Sequence, residues 1–252
     1  MSESFSFFDS PWVLALLVNS VLWLIAWIAP KKLLTPGGYA HAWVLGVILW
    51  GCLGGAGYLV VMAYFLLGSG VTRLGFAEKE AAGIAEKRSG QRGPENVWGS
   101  AATATLCALL TLVVDSPWQP LLVLGYVASF STKLSDTFAS EIGKAYGKRT
   151  FLITTLQPVT RGTEGAVSLE GTLAGIGASL IIAVIAWGLA MISPWGIAIC
   201  AIAALVATNL ESVIGATLQA RLLWLTNERV NVINTTIGAA TAIALGALLF
   251  NS

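Results

Sequence analysis

Seven long apolar runs divide this chain, and they restrict it to a membrane-embedded helical fold. Hydrophobic residues make up 56% of the sequence and charged residues only 11%, whereas soluble domains carry roughly 25% charged residues. A transmembrane helix needs about 20 apolar residues. We therefore predict an all-α, polytopic membrane helix bundle of about seven transmembrane helices, built as one domain over 1–252. The apolar runs are 12–29, 41–67, 98–114, 119–142, 167–192, 195–217 and 232–250.

Within this single domain, N-terminal helices over 1–70 precede a longer core over 71–252. The second apolar run, 41–67, is longer than one crossing requires, and four glycines interrupt it between Gly51 and Gly57. Two interpretations of this run stay open. It forms either one tilted helix or two segments separated by a break.

Basic residues are concentrated in alternate loops, which indicates the orientation of the bundle. Seven crossings place the loops 68–97, 143–166 and 218–231 on one side, where they hold 11 of the 14 lysines and arginines. The positive-inside rule predicts that this side faces the cytoplasm or an equivalent compartment. Lys31 and Lys32 violate the pattern, but a hairpin within 41–67 would remove the violation and move the N-terminus outside. The net charge of +1 gives no indication of a nucleic-acid partner.

Two stretches of the sequence share an order of features, which suggests a parallel internal repeat. In 88–143, an Arg-Gly-Pro-Glu segment precedes one apolar run, and a Ser-Pro-Trp turn precedes the next. In 157–215, an Arg-Gly-Thr-Glu segment and a second Ser-Pro-Trp turn occupy the same places. Chance agreement between short strings of unequal spacing is the alternative explanation.

Polar residues recur at the predicted cytoplasmic ends of the helices. Ionisable groups inside a membrane span are costly and therefore indicate function. One stripe at three- and four-residue spacing lies on the fourth helix, and similar groups lie on the later helices. A shared site is one interpretation, and hydrogen bonds that only join the helices are the other. The residues are Lys133, Asp136, Thr137, Ser140, Glu141, Lys144, Glu170, Asn209, Glu211, Ser212 and Asn231.

Two basic, glycine-containing loops supply the opposite charge. The first spans 87–93 and holds Lys87, Arg88 and Arg92, and the second spans 160–165 immediately before a helix. Helix N-termini and exposed backbone amides favour anions. Carboxylates together with such loops are typical of a phosphate–Mg²⁺ site. Contact with anionic lipid is the alternative role for each loop.

Two segments within this pattern resemble one family of membrane proteins. They are Ser-Asp-Thr-Phe-Ala-Ser-Glu-Ile-Gly at 135–143 and Thr-Arg-Gly-Thr-Glu-Gly-Ala-Val-Ser-Leu-Glu-Gly-Thr at 160–172. Asn-Leu-Glu-Ser at 209–212 and Asn-Glu-Arg-Val-Asn at 227–231 extend the resemblance, which covers about 72–246. The family includes the phytyl-phosphate kinase of plastids and cyanobacteria and transmembrane protein 19 of animals. It is similar in pattern to dolichol and phytol kinases and to phosphatidate cytidylyltransferases.

The resemblance implies phosphoryl transfer from a nucleoside triphosphate, with CTP favoured, to phytyl or another polyprenyl monophosphate. Its partners would be an isoprenoid lipid phosphate, the nucleotide and the bilayer, whereas no nucleic acid is expected and the oligomeric state stays open. The product would feed tocopherol and phylloquinone synthesis in a bacterial inner membrane, a thylakoid or a plastid envelope. A cytidylyltransferase and a transporter or scramblase of phosphorylated lipids are the alternatives.

We assign roles to the residues under this interpretation. The catalytic group is Lys133, Asp136, Glu141 and Arg161, and the Mg²⁺ ligands are Asp136, Glu141, Glu170 and Glu211. A larger group would bind the nucleotide and the acceptor phosphate. Its members are Lys87, Arg88, Arg92, Lys144, Thr163, Glu164, Asn209, Ser212 and Asn231.

Overall fold

The computed structural model describes residues 10–219 and 221–250, apart from the side chains of Lys87 and Phe250. It confirms the predicted all-α membrane helix bundle. Five of its helices are long and apolar enough to cross a membrane, namely α1, α2, α6, α7 with its π-helical extension, and α8. The helices are α1 (Pro11–Ile28), α2 (Pro36–Arg73), α3 (Phe76–Ala81), α4 (Pro94–Leu110), α5 (Trp118–Tyr146), α6 (Leu169–Gly188), α7 (Pro194–Ile214) and α8 (Asn227–Phe250).

Local sequence signals set the starts of several helices. Thr35, Ser168 and Ser193 cap α2, α6 and α7, because each side-chain oxygen accepts a hydrogen bond from the backbone amide three residues later. Proline follows the cap in α2 and α7, where its missing N–H breaks no helical hydrogen bond. These starts are therefore encoded within a few residues of sequence.

The long helix α2 is broken at Gly54 and folds back on itself. Gly54 has φ 63° and ψ −162°, a conformation that only glycine adopts readily. A Cβ placed on Gly46 would lie 3.0 Å from the ring of Tyr58, although residues 12 apart in a straight helix are separated by about 18 Å. Of the two interpretations of this run, the structure therefore has the break. We call 36–53 the first pass and 55–73 the second pass.

The helix α1 runs antiparallel to the first pass. Trp43 donates from Nε1 to Ser20 Oγ at 3.2 Å, and the Tyr39 hydroxyl donates to the Ala26 carbonyl at 3.1 Å. In the described part of the chain, the helices therefore cross the bundle eight times, through α1, the two passes of α2 and α4 to α8. The predicted number of about seven crossings counts the apolar run 41–67 once, whereas the hairpin, which the sequence analysis left open, makes two passes of it.

The additional pass changes where Lys31 and Lys32 lie. The segment that follows them pairs with the loop before α4, as the bridge between Leu34 and Arg92 shows. We name this end of the bundle the basic end. It comprises 29–35, 74–93, 147–168 and 215–226 together with the adjoining helix termini. Every lysine and arginine except Lys133 lies there, so the two exceptions to the charge asymmetry disappear.

The helix α5 is the centre of the bundle. It packs against α2, α4, α6, α7 and α8, and every residue from Leu124 to Asp136 is buried. A helix that is buried on all sides needs partners for its polar groups, because no water is available to hydrate them. Because α5 is central, its polar side chains face the neighbouring helices and not the lipid.

A small sheet extends the helical fold at the basic end. The strands β1 (Thr150–Leu152) and β2 (Ala166–Ser168) pair antiparallel, with Thr150 opposite Ser168. They pair the two ends of the segment 153–165, which contains the second basic loop. The pairs α4–α5 and α6–α7 follow each other in the order that the repeat requires, but the internal repeat itself stays a prediction.

The topology can be tested by labelling single cysteines in a variant that lacks Cys52, Cys107 and Cys200. Cysteines introduced by Lys31→Cys and Glu80→Cys should both react from the cytoplasmic side, since both positions are exposed at the basic end. A cysteine from Asp115→Cys, in the turn between α4 and α5, should react from the other side. Labelling of Lys31→Cys together with Asp115→Cys would restore seven crossings and contradict the hairpin.

Candidate functional site

A polar cavity of about 670 Å³ lies at the basic end. Its walls come from α2, the loop before α4, α4 to α8 and the segment around β2. Twelve of the fifteen residues to which the sequence analysis assigns a role line it, although they are spread over more than a hundred positions of the chain. They are Arg88, Arg92, Lys133, Asp136, Glu141, Lys144, Thr163, Glu164, Asn209, Glu211, Ser212 and Asn231.

The innermost charges of this cavity are Lys133 and Asp136 on α5. Both residues are buried, at 7% and 6% exposure. The Lys133 ammonium contacts Asp136 Oδ2 at 2.5 Å and donates to Asn231 Oδ1 on α8 at 2.9 Å. Since these contacts are charge-assisted and nearly excluded from solvent, they are stronger than equivalent contacts in water. Lys133 thus fixes the carboxylate of Asp136 and joins α5 to α8.

A second carboxylate faces this pair from α7. Glu211 lies beside Asp136, and Lys133 and Glu164 are further charged neighbours. Two carboxyl groups on different helices therefore place several oxygen atoms beside a single ammonium group. The arrangement is therefore suited to a cation that approaches together with an anionic ligand.

Glu141 lies on the wall of the cavity, but its carboxylate already has a partner. Lys79 of α3 is 1% exposed and pairs with Glu141 Oε2, and it also donates to the Thr72 carbonyl at 2.8 Å. Lys144 lies farther away, 3.8 Å from Glu141 Oε1. This ion pair anchors α3 on α5, and the catalytic and metal-binding role of Glu141 stays a prediction.

Arg161 and Glu170 lie outside the cavity among the described residues. Arg161 is exposed and donates to the Ala145 carbonyl at 2.9 Å, which is one of the free carbonyls at the end of α5. Glu170 is in the first turn of α6, where its charge complements the helix dipole. The structure does not bring these two residues together with the others in the cavity lining, and their predicted roles stay predictions. The side chain of Lys87 lies outside the described part of the structure.

Two further cations that line the cavity are held in different ways. Arg88 is exposed and pairs with Glu95, and it also donates to Asn96 Oδ1 at 2.9 Å. Arg92 donates to the Tyr64 hydroxyl at 2.8 Å, and its guanidinium lies 5.3 Å from the centre of the Tyr64 ring. The guanidinium of Arg92 is therefore already oriented without a ligand. Arg88 would have to give up its contacts with Glu95 and Asn96 in order to bind one.

Sequence reasoning misses Lys79, Tyr64 and Thr72, which also belong to this region. Lys79 stands between Glu78 and Glu80, a pattern typical of a solvated surface helix. Tyr64 and Thr72 lie within or next to an apolar run and carry no distinguishing signal. Only their contacts identify them.

The acidic residues do not form a ready-made metal centre within 10–219 and 221–250, where no three histidine, cysteine, aspartate or glutamate side chains converge on one point. The pair of Asp136 and Glu211 nevertheless suits Mg²⁺. Magnesium in phosphoryl-transfer sites is held by one or two carboxylates and takes its other ligands from water and substrate phosphates. The donor set is therefore compatible with a Mg²⁺ ion that takes its remaining ligands from water or a bound phosphate.

Known protein sequences are similar to this chain over most of its length. The family described as integral membrane protein DUF92 matches residues 19–239. An uncharacterized membrane protein of Synechocystis sp. is 69% identical over 237 residues, which cover 94% of this chain and 92% of that protein. Protein VTE6, chloroplastic, of Arabidopsis thaliana is 48% identical over 216 residues, or 84% of this chain and 65% of that protein.

The similarity extends to an archaeal protein. An uncharacterized membrane protein of Methanocaldococcus jannaschii is 30% identical over 232 residues, which cover 92% of each chain. No solved structure matches this chain.

Stability measurements can establish that Glu141 belongs to a structural ion pair. Lys79→Met or Glu141→Leu alone should lower the free energy of unfolding in detergent by about 3–5 kcal/mol, because each leaves a buried charge unpaired. The double variant should recover most of this loss, since apolar residues often replace a buried pair without cost.

The exposed pair of Arg88 and Glu95 provides the matched control. Glu95→Gln should lower the free energy of unfolding by less than about 1 kcal/mol, because exposed ion pairs contribute little. If Glu141→Leu were as mild as this control, Glu141 would be free to act as a ligand.

Proposed function

Because the chain belongs to the DUF92 family of integral membrane proteins, we propose that it is a lipid-phosphate kinase. It transfers a phosphoryl group from a nucleoside triphosphate, with CTP favoured, to phytyl or another polyprenyl monophosphate and yields the diphosphate. The resemblance of 135–143 and 160–172 to the phytyl-phosphate kinase family supports this reaction. The similarity to Protein VTE6 supports it as well.

The observation that carries this proposal is the composition of the polar cavity. It combines a carboxylate pair, Asp136 and Glu211, with the cations Arg88, Arg92 and Lys144 in one space at the end of a membrane bundle. A nucleotide that donates phosphate needs both kinds of group, since its metal binds oxygen ligands and its phosphoryl oxygens bind cations. A lipid acceptor needs the position at the membrane surface.

The reaction needs positioning and charge neutralisation more than a base. An oxygen of the lipid monophosphate attacks the γ-phosphorus of the nucleotide, the bond to the β-phosphate oxygen breaks, and the nucleoside diphosphate leaves. The attacking oxygen is already anionic, so no proton has to be removed from it. Arg92 and Lys144 reduce repulsion between the two phosphates, and Lys133 holds the Asp136 carboxylate in place.

Asp136 and Glu211 would hold Mg²⁺, and Asn209 and Asn231 offer further oxygen atoms within the same cavity. When bound, the metal neutralises charge on the transferred phosphoryl group. This assignment moves the metal site away from Glu141 and Glu170, because the first is paired with Lys79 and the second lies outside the cavity.

We place the active site on the cytoplasmic or stromal face, where nucleotides are available. The similarities to a cyanobacterial membrane protein and to a chloroplastic protein support a bacterial inner membrane, a thylakoid or a plastid envelope. There the product would supply tocopherol and phylloquinone synthesis.

An assay with lipid mass spectrometry tests the reaction. Purified protein in detergent receives phytyl phosphate, Mg²⁺ and each nucleoside triphosphate in turn, and phytyl diphosphate together with the nucleoside diphosphate is the expected result. Release of pyrophosphate with a nucleotide-linked lipid would identify a cytidylyltransferase instead. Faster phosphorylation of phytol than of phytyl phosphate would require a base, and Asp136 would be reassigned. No turnover, with movement of the lipid across vesicles, would favour a transporter or scramblase.

Substitutions of the carboxylates test the metal site. Asp136→Asn should abolish turnover, and Glu211→Gln should lower it about a hundredfold and raise the Mg²⁺ concentration required. Glu211→Gln leaves the pair of Lys133 and Asp136 intact, so it separates metal binding from folding. Glu170→Gln is the control and should keep the normal dependence on Mg²⁺. Normal turnover of Glu211→Gln at limiting Mg²⁺ would remove Glu211 from the metal site.

The two arginines of the Arg-Gly segments make a matched pair, because only Arg92 lines the cavity. Arg92→Ala should raise the activation free energy by about 3 kcal/mol, the scale of removing one charge-stabilising donor. Arg161→Ala should change it by less than about 1 kcal/mol, since an exposed contact is lost. Steady-state kinetics with phytyl phosphate measure both. Equal effects of the two variants would overturn the assignment of Arg92.

A further inference from the structure

A second cavity, of about 200 Å³, adjoins the polar one and is lined mainly by apolar side chains. It lies between α1, the two passes of α2 and α4, and its walls include Trp23, Leu45, Val61, Phe65 and Ala101. Its lining follows the first pass from Tyr39 to Gly46 and the second from Phe65 to Tyr58, which is about 10 Å along each helix. The cavity therefore runs inward from the basic end, along the direction of a lipid chain.

The apolar and polar cavities meet at a few shared residues. Tyr64, Arg92, Asn96 and Ser100 line both. The guanidinium of Arg92 is held at this junction by the Tyr64 hydroxyl and lies 5.9 Å from the centre of the Phe65 ring. One cation thus stands between a space suited to phosphates and a space suited to hydrocarbon.

The backbone of Arg92 is fixed by the link between α1 and α2. Its N–H donates to the Leu33 carbonyl at 3.0 Å, and its carbonyl accepts from the Thr35 N–H at 3.1 Å. Gly38 packs so closely that a Cβ there would lie 2.3 Å from the Arg92 carbonyl oxygen, which only glycine permits. The N-terminal helices therefore position the residue at the junction and also form the walls of the apolar cavity.

From this continuity we propose that the apolar cavity binds the phosphate-proximal part of the isoprenoid tail, with Arg92 holding the monophosphate at the junction. This inference rests on the proposed function, since it names the acceptor site of that reaction. The lining of the cavity extends about 10 Å along the helices, which is shorter than an extended phytyl chain. The cavity therefore recognises the first one or two isoprene units, and the rest of the tail lies in the bilayer. Selection acts on the part of the lipid near the phosphate rather than on total chain length.

Filling the cavity tests this site. Ala101→Leu adds three carbons to its wall and should lower kcat/KM for phytyl phosphate at least about tenfold, the scale of one misplaced hydrocarbon group in a pocket. With a five-carbon isoprenyl monophosphate, kcat/KM should stay within about twofold of the unsubstituted protein. One isoprene unit occupies only the part of the cavity next to Arg92, whereas Ala101 is the innermost residue of α4 in the lining. The ratio of the two values is the readout, since a purely structural defect would lower both.

Ala108→Leu is the matched control. Ala108 lies on the same helix, is as buried as Ala101 and is not among the residues of the apolar cavity. It should leave the substrate ratio unchanged, whatever it does to stability. An unchanged ratio in Ala101→Leu, or an equal shift in both variants, would overturn the tail site.

Photo-crosslinking tests the same site without turnover. Phytyl phosphate that carries a diazirine in its first isoprene unit should label α1 or α2, and unlabelled phytyl phosphate should compete. Labelling of these helices without any phosphoryl transfer would keep the tail site and reject the kinase reaction. Labelling confined to α6 and α7, or competition by phosphatidylglycerol but not by phytyl phosphate, would reject the tail site itself. The crosslinking experiment uses the unsubstituted protein, so it tests the tail site even if Ala101→Leu does not fold.

Discussion

The structure depends on accommodating charge at the centre of an apolar bundle. Lys133 and Asp136 lie on α5, which is buried by neighbours on all sides. An unpaired charge there would cost several kcal/mol, so each charged group must meet a partner. Asn231 of α8 completes the pair, and Glu211 of α7 adds the second carboxylate. The requirement for partners thus brings three helices together, and the polar cavity forms where they meet.

A second buried pair sets the boundary of this cavity. Lys79 and Glu141 join the short helix α3 to the end of α5, so a segment that lies between two membrane passes is attached to the bundle. Buried ion pairs contribute little net stability compared with apolar residues, yet breaking one is costly. Their contribution here is to fix one arrangement of the basic end. On another wall of the cavity, the link between α1 and α2 holds the backbone of Arg92 and so fixes the loop before α4.

The sequence by itself determined the features that depend on spacing along the chain. The apolar runs require membrane helices because unpaired backbone groups are costly in lipid. The three- and four-residue spacing of Lys133, Asp136 and Ser140 places them on one face of a helix. The concentration of basic residues in alternate loops assigned them to one end, and the cavity there collects most of the polar residues that the pattern indicates.

Tertiary structure alone decided which of these residues meet. Arg92 and Arg161 are each followed by a glycine, but only Arg92 lines the cavity. The backbone of Arg92 is held there by hydrogen bonds to Leu33 and Thr35. The sequence pattern predicts that Glu141 is a ligand, whereas in the structure its carboxylate pairs with Lys79, 62 positions away. The extra pass of α2 depends on the backbone angles of one glycine, Gly54, among several in the same run. Local sequence fixes helix faces and ends through neighbouring atoms, whereas contacts between distant segments arise only when the whole bundle has packed.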